Sequence, residues 1–270
     1  MFNRILVPIN GSALTTEALR VSERLADRWN CELHALSLVE WTQIESGVAN
    51  IIERQVAAIG RRPKVDVRRV SHNIAEDIAG EFDRVDDTLI VMGTWGRGRS
   101  AGLVPNYAER VLRLVRSPMI MLGPEVEIGA GWPDGPLLIA TDGSPFSTDI
   151  VRAAAEVASA MAIEPKLVTI VPKAPTRSEQ SQTAGSAELD HMAQIVESVA
   201  GKPVSAELLH GHHPERTIVE YARRHRPSLI AMSTHGRSGV SRLALDSVSM
   251  GVVRRAPCPV LLNHPLVTDT

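Results

Sequence analysis

At 270 residues, 44% apolar and 22% charged, the chain has the make-up of an ordinary globular protein, long enough for two domains of common size. A formal charge of −2 excludes the strongly basic surface that nucleic acid or anionic lipid would need, and 3% aromatics are too few to stack single-stranded bases. No apolar run approaches the roughly 20 residues needed to span a bilayer, and the opening MFNRILVPIN enters a strand pattern at once, unlike a signal peptide. Cys31 and Cys258 stand far apart in apolar strand patterns and read as small core thiols of a reducing compartment. The expected setting is the cytoplasm, with neither membrane nor nucleic acid as partner.

Arg4–Ile9 is a continuous apolar run closed by Asn10-Gly11-Ser12, the pattern of a strand buried on both faces in a parallel sheet. Thr15 or Thr16 is the expected cap of the next helix, with Ala18, Leu19, Leu25 and Ala26 at helical spacing. A second strand is expected at Glu32–Val39 and a second helix at Ile44–Ile59, stopped by Gly60 and Pro63. Lys64–Val70 alternates apolar and charged residues like a strand near the edge of a sheet, and Asn73 caps a helix reaching about Val85. Leu89–Met92 is a fourth strand, followed by a glycine loop, a helix over about Asn106–Arg116 and a last strand at Met119–Leu122.

Residues 123–136, GPEVEIGAGWPDGP, have the composition of a linker. The pattern then restarts: Leu137–Ser144 repeats the opening strand and turn, and Ile150–Met161 the first helix. Leu167–Val171 is the second strand. A polar loop over Pro172–Gly185 leads to a helix at Ala187–Ala200. Val204–Leu209, Pro214–Arg226 with proline in its first turn, Leu229–Met232 and Val260–Leu262 complete the second copy. The expected fold is therefore α/β: two tandem, doubly wound parallel-sheet domains of five strands each, over residues 1–124 and 137–270, joined by 125–136.

The stretch Ser228–Ser249, SLIAMSTHGRSGVSRLALDSVS, reads as strand, glycine loop and helix start. Thr88–Ala108 echoes it, with Gly93, Thr94, Gly96 and Arg97 in the places of Ser233, Thr234, Gly236 and Arg237. Such a loop and helix start could present backbone N–H groups to a phosphate. With the duplicated openings LVPINGS and LLIATDGS and the closing CPVLL strand, these motifs resemble the universal stress protein family over essentially the whole chain. The resemblance implies two tandem α/β domains, with a nucleotide or related small ligand in at least one pocket. Nucleotide-binding members carry Gly-x2-Gly-x9-Gly-(Ser/Thr) after the fourth strand and an Asp closing the first.

Neither copy matches that pattern fully. In the first, Gly93 and Gly96 fit, but Asn106 and Tyr107 replace the third glycine and its hydroxyl residue, and Asn10 replaces the pocket Asp. In the second, Asp142, Gly236 and Ser247 fit, whereas Ser233 and Asp246 replace the first and third glycines. Asn106 and Asp246 are strong N-cap residues, so each loop helix is expected to be capped by its own chain through the N–H groups that a phosphate would use. Asp246 also sets a carboxylate where the ligand would be anionic.

Other constellations are weaker. Gly96–Ala101 fits G-x-G-x-x-A but follows the fourth strand instead of the first, and Pro105 intervenes before the helix. His210, His212 and His213, with His235, have no Cys or acid at ligand spacing and read as polar loop. No nucleophile elbow, Walker loop or HExxH occurs, and Asp142, Ser144 and His235 do not define nucleophile–base geometry.

The residues that match the family's pocket are Thr141, Asp142, Ile170, Met232, Ser233, Gly236 and Ser247 in the second copy. In the first they are Ile9, Asn10, Leu38, Met92, Gly93 and Gly96. The resemblance implies a stress-response protein, regulatory or protective in action and not an enzyme, with ATP, ADP or AMP, with Mg²⁺, as its ligand. It also implies pairing of Met119–Leu122 with Val260–Leu262 about a pseudo-twofold axis within the chain, and a homodimer of such chains. Two alternatives stay open: a ligand-free interaction protein acting through dimerisation or partner docking, and a weak nucleotide hydrolase.

Overall fold

The apolar opening run forms the central strand of a five-stranded parallel sheet. The computed structural model describes residues 2–39, 47–94, 107–115, 117–144, 147–171, 179–234 and 248–263. The chain divides into two units, Met1–Pro124 and Glu125–Thr270. In the first, strands β1 (Arg4–Ile9), β2 (Glu32–Val39), β3 (Lys64–Arg69), β4 (Thr88–Gly93) and β5 (Met119–Leu122) stand in the order β3-β2-β1-β4-β5. Ile5, Leu6, Val7, Leu89, Ile90 and Val91 are fully buried, because helices lie on both faces of the two middle strands. Helices α1 (Ala13–Trp29) and α2 (Gly47–Val56) touch each other, as do α3 (Ile74–Phe82) and α4 (Tyr107–Leu114), the two layers of a doubly wound domain.

The second unit repeats this. Strands β6 (Leu137–Thr141), β7 (Pro165–Val171), β8 (Ser205–His210), β9 (Leu229–Ser233) and β10 (Val260–Asn263) lie in the order β10-β9-β6-β7-β8, all parallel. Helices α5 (Thr148–Met161) and α6 (Glu179–Ala200) form one pair, and α7 (Pro214–His225) and α8 (Val248–Arg255) the other. The expected fold of two five-stranded parallel domains is thus the observed one. Among the described residues no helix is long and apolar enough to cross a membrane.

Differences from the sequence expectation are local. Ser12, not Thr15 or Thr16, caps α1: its hydroxyl accepts from the Thr15 N–H at 3.3 Å, which starts the helix at Ala13. Asn73 caps α3 as expected, accepting from the N–H groups of Ala75 and Glu76. Helix α2 is shorter than Ile44–Ile59, because Ala57–Ile59 continue as turns. Helix α6 begins at Glu179, so the end of the stretch expected to be loop is helical despite its Ser, Thr and Gly content. Further along the helix, Leu189, Met192, Val196 and Ala200 form a buried stripe, and α6 lies against α5.

Residues 125–136, linker-like in composition, lie along the second unit as a strap. Trp132 is buried and donates its indole N–H to the Ser228 carbonyl at 2.7 Å. The Gly135 N–H donates to the Ser228 hydroxyl at 2.8 Å, and that hydroxyl donates to the Gly135 carbonyl at 2.9 Å. Position 135 must be glycine, since a Cβ there would run into the Arg226 carbonyl. Further out, Glu127 N–H donates to the Pro257 carbonyl at 3.0 Å, and Glu125 pairs with Arg223 at 2.7 Å.

Candidate functional site

Each sheet reverses its order beside its first strand, between β1 and β4 in one unit and between β6 and β9 in the other. Open α/β sheets bind ligands in the crevice outside the carboxyl ends of the strands at that point. In the first unit Ile9 and Asn10 close β1, Leu38 lies near the end of β2, and Met92 and Gly93 close β4. Asn10 is spent on its own turn: its side-chain oxygen accepts from the Ser12 N–H at 3.0 Å and the Thr15 hydroxyl at 2.7 Å. Gly93 has a packing role, because a Cβ there would stand 2.8 Å from Leu14 Cβ. Gln55, reaching in from α2, lies on the turn after β1: it accepts from the Gly11 N–H at 2.9 Å and donates to the Ser12 carbonyl at 2.9 Å.

The second unit copies this edge with different chemistry. Thr141 and Asp142 close β6, Ile170 is near the end of β7, and Met232 and Ser233 close β9. One carboxylate oxygen of Asp142 accepts from the Ser144 N–H at 3.0 Å and the Ser147 hydroxyl at 2.8 Å, the bonds that Asn10 makes in the first unit. Ser144 and Ser147 are buried and bonded within this turn, which fits turn support better than a nucleophile. Thr94 and Thr234, shared by the two strand–loop motifs, tie the loop to the sheet in the same way. Each donates through N–H and hydroxyl to the carbonyl that ends the last strand, Leu122 or Asn263.

Gly96, Gly236 and Ser247 lie outside the described residues, as do Arg97, Asn106, His235 and Asp246, and with them the loop caps and the G-x-G-x-x-A stretch. His210, His212 and His213 are exposed, and among the described residues they belong to no group of metal-ligand side chains. Cys31 and Cys258 are single buried thiols, and burial pushes both above the ordinary thiol range.

The opposite, amino edge of the first sheet holds a charged cluster that sequence reading misses. Arg4, the first residue of β1 and almost fully buried, donates to Glu81 Oε1 at 2.9 Å, the Glu81 carbonyl at 2.8 Å and the Thr88 hydroxyl at 3.0 Å. Glu81 also accepts from Arg68 at 2.6 Å and lies 3.2 Å from Arg84. Fully buried His34 sets Nε2 3.0 Å from Asp66 and Nδ1 3.4 Å from Arg4 Nη1. Arginine can only donate, so Nδ1 accepts and Nε2 carries the proton, which makes His34 neutral. Burial, the largest influence on His34, agrees with this and lowers it below its ordinary 6.5, although Asp66 and Glu81 pull the other way. Burial pushes the Glu81 carboxyl up, but the bonds from Arg68 and Arg4 outweigh it and hold the group below the usual range.

His34, Asp66 and Glu81 bring ligand-type atoms within 4.8 Å of one another. The set does not fit a metal ion: Arg4 and Arg68 already neutralise the carboxylates, and a cation would have to displace guanidinium groups held at 2.6–2.9 Å. The sequence signals are an Arg opening a buried strand and a His inside the apolar run ELHALSLV.

Comparisons agree with the duplicated architecture. The family model described as "Universal stress protein family" matches residues 1–123 and again 135–264. A universal stress protein of Methanocaldococcus jannaschii is 30% identical over 137 residues, covering 47% of this chain and 79% of that protein. A universal stress protein of Archaeoglobus fulgidus DSM 4304 has the same fold at 18% identity, with a TM-score of 0.68 over 99% of this chain and 98% of its own. A second from Archaeoglobus fulgidus, solved in complex with dAMP, covers 48% of this chain and 97% of its own at 21% identity and a TM-score of 0.41.

Proposed function

Because the chain belongs to the universal stress protein family, with a copy of the family domain in each half, we propose that it is a regulatory or protective stress-response protein without catalysis of its own. Its ligand in this reading is an adenine nucleotide, held at the carboxyl edge of the second sheet. The observation that carries the reading is Asp142. It closes the strand beside the switch point, and two hydrogen bonds from its own turn fix the orientation of its carboxylate. A fixed carboxylate there is suited to accept from a ribose hydroxyl or an adenine amino group, and it would not recognise a phosphate. Mg²⁺ in this reading arrives on the phosphates of ATP or ADP. The two buried, unpaired thiols support a reducing, cytoplasmic setting.

A second reading, a ligand-free protein acting through dimerisation or docking, is favoured by Gln55, which seals the turn of the first unit. Hydrolysis stands behind both, because Ser144 and Ser147 are engaged in the turn. Mass spectrometry of ligand released from protein purified without added nucleotide separates the first two. Stoichiometric adenine nucleotide supports the binding reading. An empty protein that gives no thermal shift with saturating ATP or AMP supports the docking reading.

A further inference from the structure

We infer that each chain takes one nucleotide, in the second unit, because Gln55 closes the matching crevice of the first. The inference rests on the nucleotide reading above and says which of two related sites is used.

The first unit's crevice lies over the ends of β1 and β4. Above β1, the buried Gln55 amide bonds the turn at three points: it accepts from Gly11 N–H at 2.9 Å and donates to the Ser12 carbonyl at 2.9 Å and the Thr16 hydroxyl at 3.3 Å. A ligand entering there would break these bonds and strand a buried amide. Beside β4, helix α1 packs so closely that Leu14 Cβ lies 2.8 Å from where a Gly93 Cβ would stand, so this glycine serves the approach of the helix to the strand.

The second unit differs at both points. Ser233 stands where the first unit has Gly93, so this strand end carries a Cβ and a hydroxyl where the first unit has neither. Helix α6, 22 residues against 10 in α2, lies along α5 with its buried stripe of Leu189, Met192 and Val196. Among the described side chains of α6 the buried ones are all apolar, whereas α2 buries the Gln55 amide.

Titration calorimetry with ADP, followed by photo-crosslinking with an azido-adenine nucleotide and peptide mapping, tests the inference on the full chain. The wild type is expected to bind one equivalent and to carry label only in peptides from residues 137–263. Gln55→Ala, which releases the Gly11 N–H and the Thr16 hydroxyl, is expected to bind a second equivalent and to gain label within residues 9–94. Two equivalents on the wild type, or a Gln55→Ala count still at one, would overturn the inference and leave the nucleotide reading intact. No binding to the wild type but one equivalent on Gln55→Ala, labelled in the first unit, would overturn the second-unit nucleotide reading and keep the closure by Gln55. No binding to either would overturn both. If Gln55→Ala fails to fold by circular dichroism, the wild-type count and label position still decide.

Discussion

The amino edges of the two sheets occupy the same place in the same fold and are held together in opposite ways. By register, Lys166 replaces His34 and Glu207 replaces Asp66, while Tyr221 stands as far past the cap of α7 as Glu81 stands past the cap of α3. The first unit buries an arginine–glutamate pair with each side chain at most 5% exposed. The second places its Lys166–Glu207 pair, 2.8 Å apart, at 21% and 43% exposure, under a Tyr221 hydroxyl that donates to Glu207 at 3.0 Å. Thr88 receives Arg4 in the first unit, and Ser228 receives the strap in the second. A buried ionic cluster is costly to form and costlier to half-dismantle, whereas a half-exposed pair tolerates loss. The copies therefore share a topology and differ in what threatens it.

The largest expected contrast comes from removing one partner on each side. Glu81→Ala strands Arg4 in the interior and should cost the first unit about 3–5 kcal/mol. Tyr221→Phe removes one neutral donor from an exposed acceptor and should cost the second unit about 1 kcal/mol. Urea unfolding followed by hydrogen exchange on peptides from each unit measures both, and equal losses would dissolve the comparison.

Acid is the next lever. His34 is held below 6.5 in the folded chain, so its contribution is complete above pH 6.5 and drains away as pH falls from there through its lowered folded value. Glu81 and Asp66, held below 4.5 and 3.8, extend the loss to lower pH in the same direction. In the second unit Lys166, raised chiefly by its bond to Glu207, stabilises below 10.5 and loses that contribution as pH rises through its folded value. Between pH 7.5 and 5 the first unit should lose protection while the second holds, and His34→Gln should remove most of that difference. A decline shared equally by both units would argue against His34 as its source.

The smallest contrast lies at the turns. Ser12→Ala removes the cap of α1 and should cost the first unit about 1 kcal/mol in thermal or urea unfolding. Asp142→Asn should change stability by less than about 0.5 kcal/mol, because Asn10 already makes the same two bonds from the matching position. A larger loss would mean that the Asp142 charge itself supports the fold.

Strands buried on both faces are legible in the sequence because continuous apolar runs such as Arg4–Ile9 and Met119–Leu122 are closed by turn residues at each end. Asn73 is legible as a cap because it precedes an amphipathic run with Glu76 at the third helical position. Ser12 is not, because Ser, Thr and Thr at positions 12, 15 and 16 offer equivalent hydroxyls, and only the backbone geometry selects one. The start of α6 is hidden by its Ser, Thr and Gly content and precedes the buried stripe from Leu189 to Ala200. The charged cluster is hidden because Asp66, Arg68 and Glu81 look like a solvated face until depth is known. At the carboxyl edge, Asp142 and Asn10 are placed correctly by pattern, but the occlusion by Gln55 joins residues more than forty positions apart and has no local signature.

The strap sets where the second unit begins as an autonomous piece of chain. A fragment started at Leu137, where the first strand opens, would leave the Ser228 hydroxyl and carbonyl without Gly135 and Trp132 and would uncover the surface on which the indole is buried. Started at Glu125, the same fragment keeps its lining and its tie to Arg223. The boundary that matters for expression or domain exchange is therefore the residue after Pro124, twelve positions before the secondary structure suggests it.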